Sequence, residues 1–242
     1  MKRGINVHFN EAGDYGSMMI KGLFKYELFG HEFWITTTQV TLLIIVLLIL
    51  ILAIIANRKL KKMKPEDTPG TFLNIMELAV EKLDGMVGTS LGKNAWRFRN
   101  YIGTIFVFIL LCNLAGVLGL RSPTADYGVT LPLGLLSFLL IQINGLRFQK
   151  LHYFKSLAEP YAFLMPSNVI GEVSVPISLS LRLFGNVLSG TMILSLWYAM
   201  IPWFAKIPVS PFLHGYMDLF SGCIQTYVFS MLTMTYLSEK ID

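Results

Sequence analysis

Ser178-Leu-Ser-Leu-Arg182-Leu-Phe-Gly-Asn186 places one guanidinium in the middle of a long apolar stretch running from about Tyr161 to Met200. Arginine keeps its charge throughout the physiological pH range. Seating such a charge at the centre of a bilayer costs about 3 to 15 kcal/mol, comparable to the whole stability of a domain. The polar neighbours say what kind of segment this is. Ser174, Ser178, Arg182, Asn186 and Ser189 recur at steps of four, four, four and three, which is the repeat of one stripe on an α-helix. The stretch is therefore expected to be a membrane-embedded helix with a single polar stripe, and a charge in so costly a position is expected to be functional.

The rest of the chain supports a membrane setting. Of 242 residues, 54% are hydrophobic and 14% charged, where soluble domains carry about 25% charged residues. Leu42 to Ala56 contains no polar side chain; with its flank it exceeds the roughly 20 residues needed to cross a bilayer core. The opening Met1-Lys-Arg is not followed by an apolar signal core. Cys112 and Cys223 lie apart in apolar segments and are expected to be isolated thiols. The net charge of +5 sits beside apolar spans, a pattern of membrane topology and not of nucleic-acid binding.

These features give one membrane domain over residues 1–242, all-α, with about five transmembrane helices and one amphipathic helix on the cytoplasmic surface. Residues 1–33 form an external N-terminal segment and 34–57 a first span. Five cationic residues between Asn57 and Lys64 assign that end to the cytoplasm and the N-terminus to the outside. Pro65 and Pro69 turn the chain. Over 71–90, apolar residues follow the helical template with Glu77, Glu81, Lys82 and Asp84 opposite; Gly85 and Gly88 are expected to end that helix. A hairpin of spans over 101–145 contains Asn113, expected to make a helix-to-helix hydrogen bond. Two long helices fill 161–237, separated at Ile201–Pro211 by three prolines that are expected to interrupt them.

The last segment has its own stripe: His214, Asp218, Ser221 and Gln225, spaced four, three and four. Two apolar helices with one polar stripe each are expected to face each other or water. Gly185 with Ser189, and Gly215 with Gly222, offer close backbone approach. Glu172 falls beside the Arg182 stripe, with Pro176 loosening the angle. A structural Arg182–Asp218 ion pair would leave the other polar groups unexplained.

The run Ser178 to Val187, followed by Gln225-Thr-Tyr-Val-Phe and Leu232-Thr-Met-Thr-Tyr-Leu237, resembles the a subunit of the rotary F-type ATP synthase. The resemblance implies a stator channel working against a ring of c subunits, each with one membrane carboxylate, alongside peripheral-stalk b subunits and the rest of the complex in the cell inner (plasma) membrane. It implies that the last two helices are long and tilted, that Arg182 is the essential arginine, and that Asn186 and Gln225 are its companions. Asp218 stands where relatives place Glu or His. Asp218, His214 and Glu172 are the titratable groups expected to serve two half-channels. The chain departs from the resemblance at Thr191, where many bacterial members carry Glu, so the relay partner falls to Glu172 or His214. Protons are the default coupling ion, selection resting mainly with the ring.

Reaction chemistry is not encoded. Gly88-Thr-Ser-Leu-Gly-Lys93 is one residue short of a phosphate loop, and no nucleophile motif, metal-ligand cluster or cofactor motif occurs, so nucleotide chemistry belongs to partners. Two other readings use the same arginine: a stand-alone secondary transporter binding an anionic substrate at Arg182, and an assembly scaffold in which Arg182 pairs structurally.

Overall fold

The structure is a computed structural model that describes residues 22–28, 31–62, 70–150, 163 and 165–241. An antiparallel hairpin of β1 (Gly22–Leu28) and β2 (His31–Thr36) opens it. This hairpin, which reaches three residues past the segment read as 1–33, was not expected. β2 hands over to α1 (Thr37–Lys62), which starts three residues later than expected because Thr36 and Gln39 cap it reciprocally. The Gln39 amide donates to Thr36 Oγ1 at 3.4 Å and the Thr36 amide donates to Gln39 Oε1 at 3.2 Å. The expected turn at Pro65 and Pro69 lies outside the described residues.

The amphipathic helix is α2 (Thr71–Leu91). It runs through Gly85 and Gly88, the expected end, and stops at Gly92, whose φ of 50° allows the amide to bond back to Gly88 O. A glycine inside a helix costs only about 1 kcal/mol, whereas the left-handed turn that ends one calls for glycine itself. Leu73, Val87 and Leu91 are buried while Ile75, Leu78 and Val80 stay exposed, so much of the apolar surface of α2 is left uncovered by this chain.

A short 3₁₀ link leads into α3 (Ala95–Leu114), then comes α4 (Tyr127–Gln149), capped by the Asp126 carboxylate on the Gly128 amide at 2.9 Å. Next is α5 (Met165–Met200), 36 residues and about 54 Å long. A ~30 Å hydrocarbon core accommodates that length only with strong tilt or protruding ends. Among the described residues, four stretches are long and apolar enough to cross a membrane: Thr37–Lys62, Thr71–Leu114, Tyr127–Gln149 and Met165–Met200.

The expected fifth span takes another form. α6 (Trp203–His214) contains Pro208 and Pro211, then a π-helical turn over Gly215–Phe220 leads into α7 (Ser221–Ile241). The expected interruption is thus confined to Ile201–Pro202, where α5 ends and Pro202 precedes α6, while Pro208 and Pro211 sit inside a helix where a break was also expected. Each removes one amide donor, but without water the backbone has no better option than to remain helical and adjust locally. The wide turn that follows Pro211 is such an adjustment.

Two apolar clusters unite the bundle. Ile105, Ile109, Leu133, Leu179, Leu183 and Phe229 join α3, α4, α5 and α7. Phe98, Ile102, Met234 and Leu237, with Val87 of α2, close the other end. Beyond the first cluster, on the side away from the second, Asn113 makes the helix-to-helix bonds expected of it: Nδ2 donates to Gly222 O and Thr226 Oγ1, each at 3.1 Å, and Oδ1 accepts from Thr124 at 2.7 Å. Of the small residues expected at contacts, Gly222 lies against Asn113, whereas Gly185 and Gly215 face open space. The closest approach is at Gly134, where a Cβ would meet Pro176 O at 2.7 Å. Cys112 and Cys223 are free thiols, as expected.

Candidate functional site

α5 has two unlike faces. Leu179, Ser180 and Leu183 are buried against the bundle, while Ser174, Ser178, Arg182 and Ser189 are exposed. Ser174 and Ser189 donate to their own backbone, at Gly171 O (2.7 Å) and Asn186 O (2.9 Å), and need no outside partner. Arg182 has neither a hydrogen-bond nor an ion-pair partner among the described residues, and its exposed neighbours on the helix include Ile177 and Leu181. A permanent charge is thus presented on an apolar surface.

The two polar stripes do not meet along their whole length, as they would if both lined one internal groove. They touch where Asn186 Nδ2 donates to Gln225 Oε1 at 3.2 Å and Ser221 Oγ donates to Asn186 Oδ1 at 3.3 Å. Gln225, named with Asn186 as a companion of the arginine, has its amide oxygen taken by Asn186, and its buried amide nitrogen has no partner among the described residues. Nor is the Arg182–Asp218 pair formed among the described residues.

Asp218 is engaged elsewhere. It sits in the π-helical turn, where His214 Nδ1 lies 2.6 Å from its Oδ2, and the other ring nitrogen of His214 lies 3.0 Å from the Tyr198 hydroxyl of α5. Gly116, just beyond α3, makes room: a Cβ there would come within 3.1 Å of the Asp218 carboxyl. The Asp218 side chain is only 11% exposed and that of His214 37%. Thr191, in place of the Glu of many bacterial members, bonds its own helix at Leu188 O, 2.8 Å away.

Glu172 lies ten residues before Arg182, about 15 Å along the helix. Gln142 Nε2 of α4 donates to its Oε2 at 2.9 Å, and Lys240 of α7 forms an ion pair with its other oxygen. The carboxylate and ammonium line a cavity of about 510 Å³ with Gln149, Asn168, Tyr236 and Glu239. Lys240, Gln142 and Tyr198 were missed from sequence. The signal for two of them was register: once Asn186 faces Gln225 in an antiparallel pair, steps outward that match to within one residue bring Tyr198 to His214 and Glu172 to Lys240.

The chain is similar to known proteins. The family model described as ATP synthase A chain matches residues 39–238. The chain is 34% identical over 209 residues to ATP synthase subunit a of Moorella thermoacetica, covering 86% of this chain and 91% of that one. It is 33% identical over 201 residues to the chloroplastic ATP synthase subunit a of Stigeoclonium helveticum, with 78% of each covered. To the ATP synthase subunit a of Propionigenium modestum described as sodium ion specific, it is 38% identical over 178 residues, 66% of this chain and 60% of that one.

Proposed function

The chain belongs to the ATP synthase A chain family, and from that premise we propose that it is the ion-translocating stator subunit of an F-type ATP synthase, passing protons through two half-channels to and from the carboxylates of a c-subunit ring. Arg182 carries this reading: a charge that cannot be shed, exposed on an apolar face and unpaired among the described residues. Such a group calls for an anion from another chain at membrane depth. A ring carboxylate is that anion. At about 4 Å and an effective dielectric of about 20, two unit charges attract by about 4 kcal/mol, which biases a proton equilibrium by about a thousandfold. The arginine therefore favours release of the ring's proton as each carboxyl arrives, and repels any free proton that would cross from one half-channel to the other.

Asn186 braces the surface beneath the arginine through Gln225 and Ser221. Asp218 and His214 serve one half-channel and Glu172 the other; their positions toward opposite ends of the α5–α7 pair support that division. Lys59, Lys61 and Lys62 end α1 at the side of the bundle where Lys150 and Lys240 also lie, which favours that side as cytoplasmic. The N-terminus is then outside the cell membrane, the Asp218 route outward-facing and the Glu172 route inward-facing. The chain itself catalyses no bond change; nucleotide chemistry sits in the partner subunits, and the exposed Leu47 and Ile51 of α1 meet lipid or a stalk subunit.

The test is ATP-driven proton pumping in membrane vesicles carrying the whole synthase with Arg182→Ala. Pumping is expected to be lost while the complex assembles; normal pumping by the variant would overturn the channel reading. A cysteine at exposed Ser178 is expected to crosslink to the ring close to its carboxylate, a better position than buried Gln225. Strict dependence of pumping on added Na⁺ would replace the proton by sodium and leave the rest standing.

A further inference from the structure

We propose that Tyr198 is a positioning residue of the outward half-channel, holding the His214 ring so that it collects protons from outside and delivers them to Asp218. The inference rests on the channel reading above and extends it to a residue that neither polar stripe contains. Tyr198 lies sixteen residues beyond Arg182 on α5, about 24 Å along the helix. It is exposed, and its hydroxyl meets His214 Nε2 at 3.0 Å while Nδ1 of the same ring meets Asp218 at 2.6 Å. The rings of Tyr198 and His214 also lie with centroids 5.9 Å apart. The imidazole is thus tied at both nitrogens, one to the surface and one to the interior.

That tie fixes chemistry as well as place. An imidazole next to a carboxylate is held with Nδ1–H toward it, leaving the Nε2 lone pair to accept from the tyrosine hydroxyl. A proton from outside water adds to Nε2 as the hydroxyl rotates from donor to acceptor. The imidazolium then gives its Nδ1 proton to Asp218: an N–H bond breaks, an O–H bond forms, and the ring is neutral again with its proton on Nε2. Exchange with solvent, to which the ring is partly open, restores the first tautomer with no net change in protons. Among the described residues, the titratable groups hydrogen-bonded to His214 are Tyr198 from α5 and Asp218 from the π-helical turn, and Gly116 presents no side chain to that turn.

Tyr198→Phe removes the hydroxyl and keeps the ring, so it isolates the hydrogen bond. In vesicles with the whole synthase, ATP synthesis is measured against external pH at fixed internal pH and membrane potential, with complex content checked and Arg182→Ala alongside. The variant is expected to need about threefold to tenfold more external protons for half-maximal rate, the range that one lost hydrogen bond gives. It should converge on the wild-type rate at the lowest external pH. A curve identical to wild type, or one lowered by the same factor at every pH, would overturn the role of Tyr198 while Arg182→Ala remains inactive. Synthesis by Arg182→Ala would instead remove the channel reading on which the proposal stands.

Discussion

The two ends of the α5–α7 pair solve the problem of holding a carboxylate in a membrane protein in different ways. Toward one end, Asp218 faces the imidazole of His214, on a backbone widened to a π-helical turn. Toward the other, Glu172 rests on regular helix, held by the amide of Gln142 and the fixed cation of Lys240 beside an open cavity. A carboxylate with a titratable neighbour can exchange a proton without leaving an unpaired charge behind. One paired with a lysine keeps its countercharge, so a proton that binds it must first displace an ammonium. The first arrangement suits uptake, the second a guarded exit.

The contrast is broken most severely at Asp218. Asp218→Asn removes the proton acceptor and is expected to lower ATP-driven pumping by about a hundredfold or more, measured in vesicles with matched complex content. Glu172→Gln should fall short of that loss; equal losses would make the two ends equivalent and dissolve the comparison. Gly134→Val disturbs both ends together, because its new side chain meets the backbone oxygen of Pro176, which has no rotamer to yield. A cost of about 1–3 kcal/mol is expected, read as less assembled complex with little change in pumping per complex. The mildest change is Lys240→Gln, where an amide can still donate to Glu172: pumping should shift by about threefold or less. Complete loss in that variant would place Lys240 on the ion path itself.

Much of this was legible in the chain. Leu42 to Ala56 announces a span because nothing in it is polar, and the four-residue steps around Arg182 announce a helix. Asn113 was expected to link helices and does. What periodicity could not give was the direction a stripe faces. A repeat of four is the same whether the polar face turns inward or outward, and Arg182 turns outward because Leu179 and Leu183 fill the core behind it. The prolines at 208 and 211 misled for a related reason: their helix-breaking cost is set against water, and no water competes for the backbone inside a membrane. The hairpin at Gly22–Thr36 did leave a trace, Phe24, Tyr26 and Leu28 alternating with Lys25 and Glu27 as a strand requires, but so short a run does not stand out inside a segment read as a polar lead-in.

The outward face of Arg182 also fixes an order of events in the life of the molecule. A newly inserted copy carries that guanidinium toward hydrocarbon at a cost of about 3 kcal/mol or more, and on the proposed function the cost is relieved when a ring carboxylate arrives. Between synthesis and assembly the chain is therefore least secure along α5, the helix on which its work depends. On that reading, a cell that makes this subunit ahead of its ring would hold a population of strained, short-lived intermediates, whereas one that completes the ring first would give each new copy a surface to dock against at once.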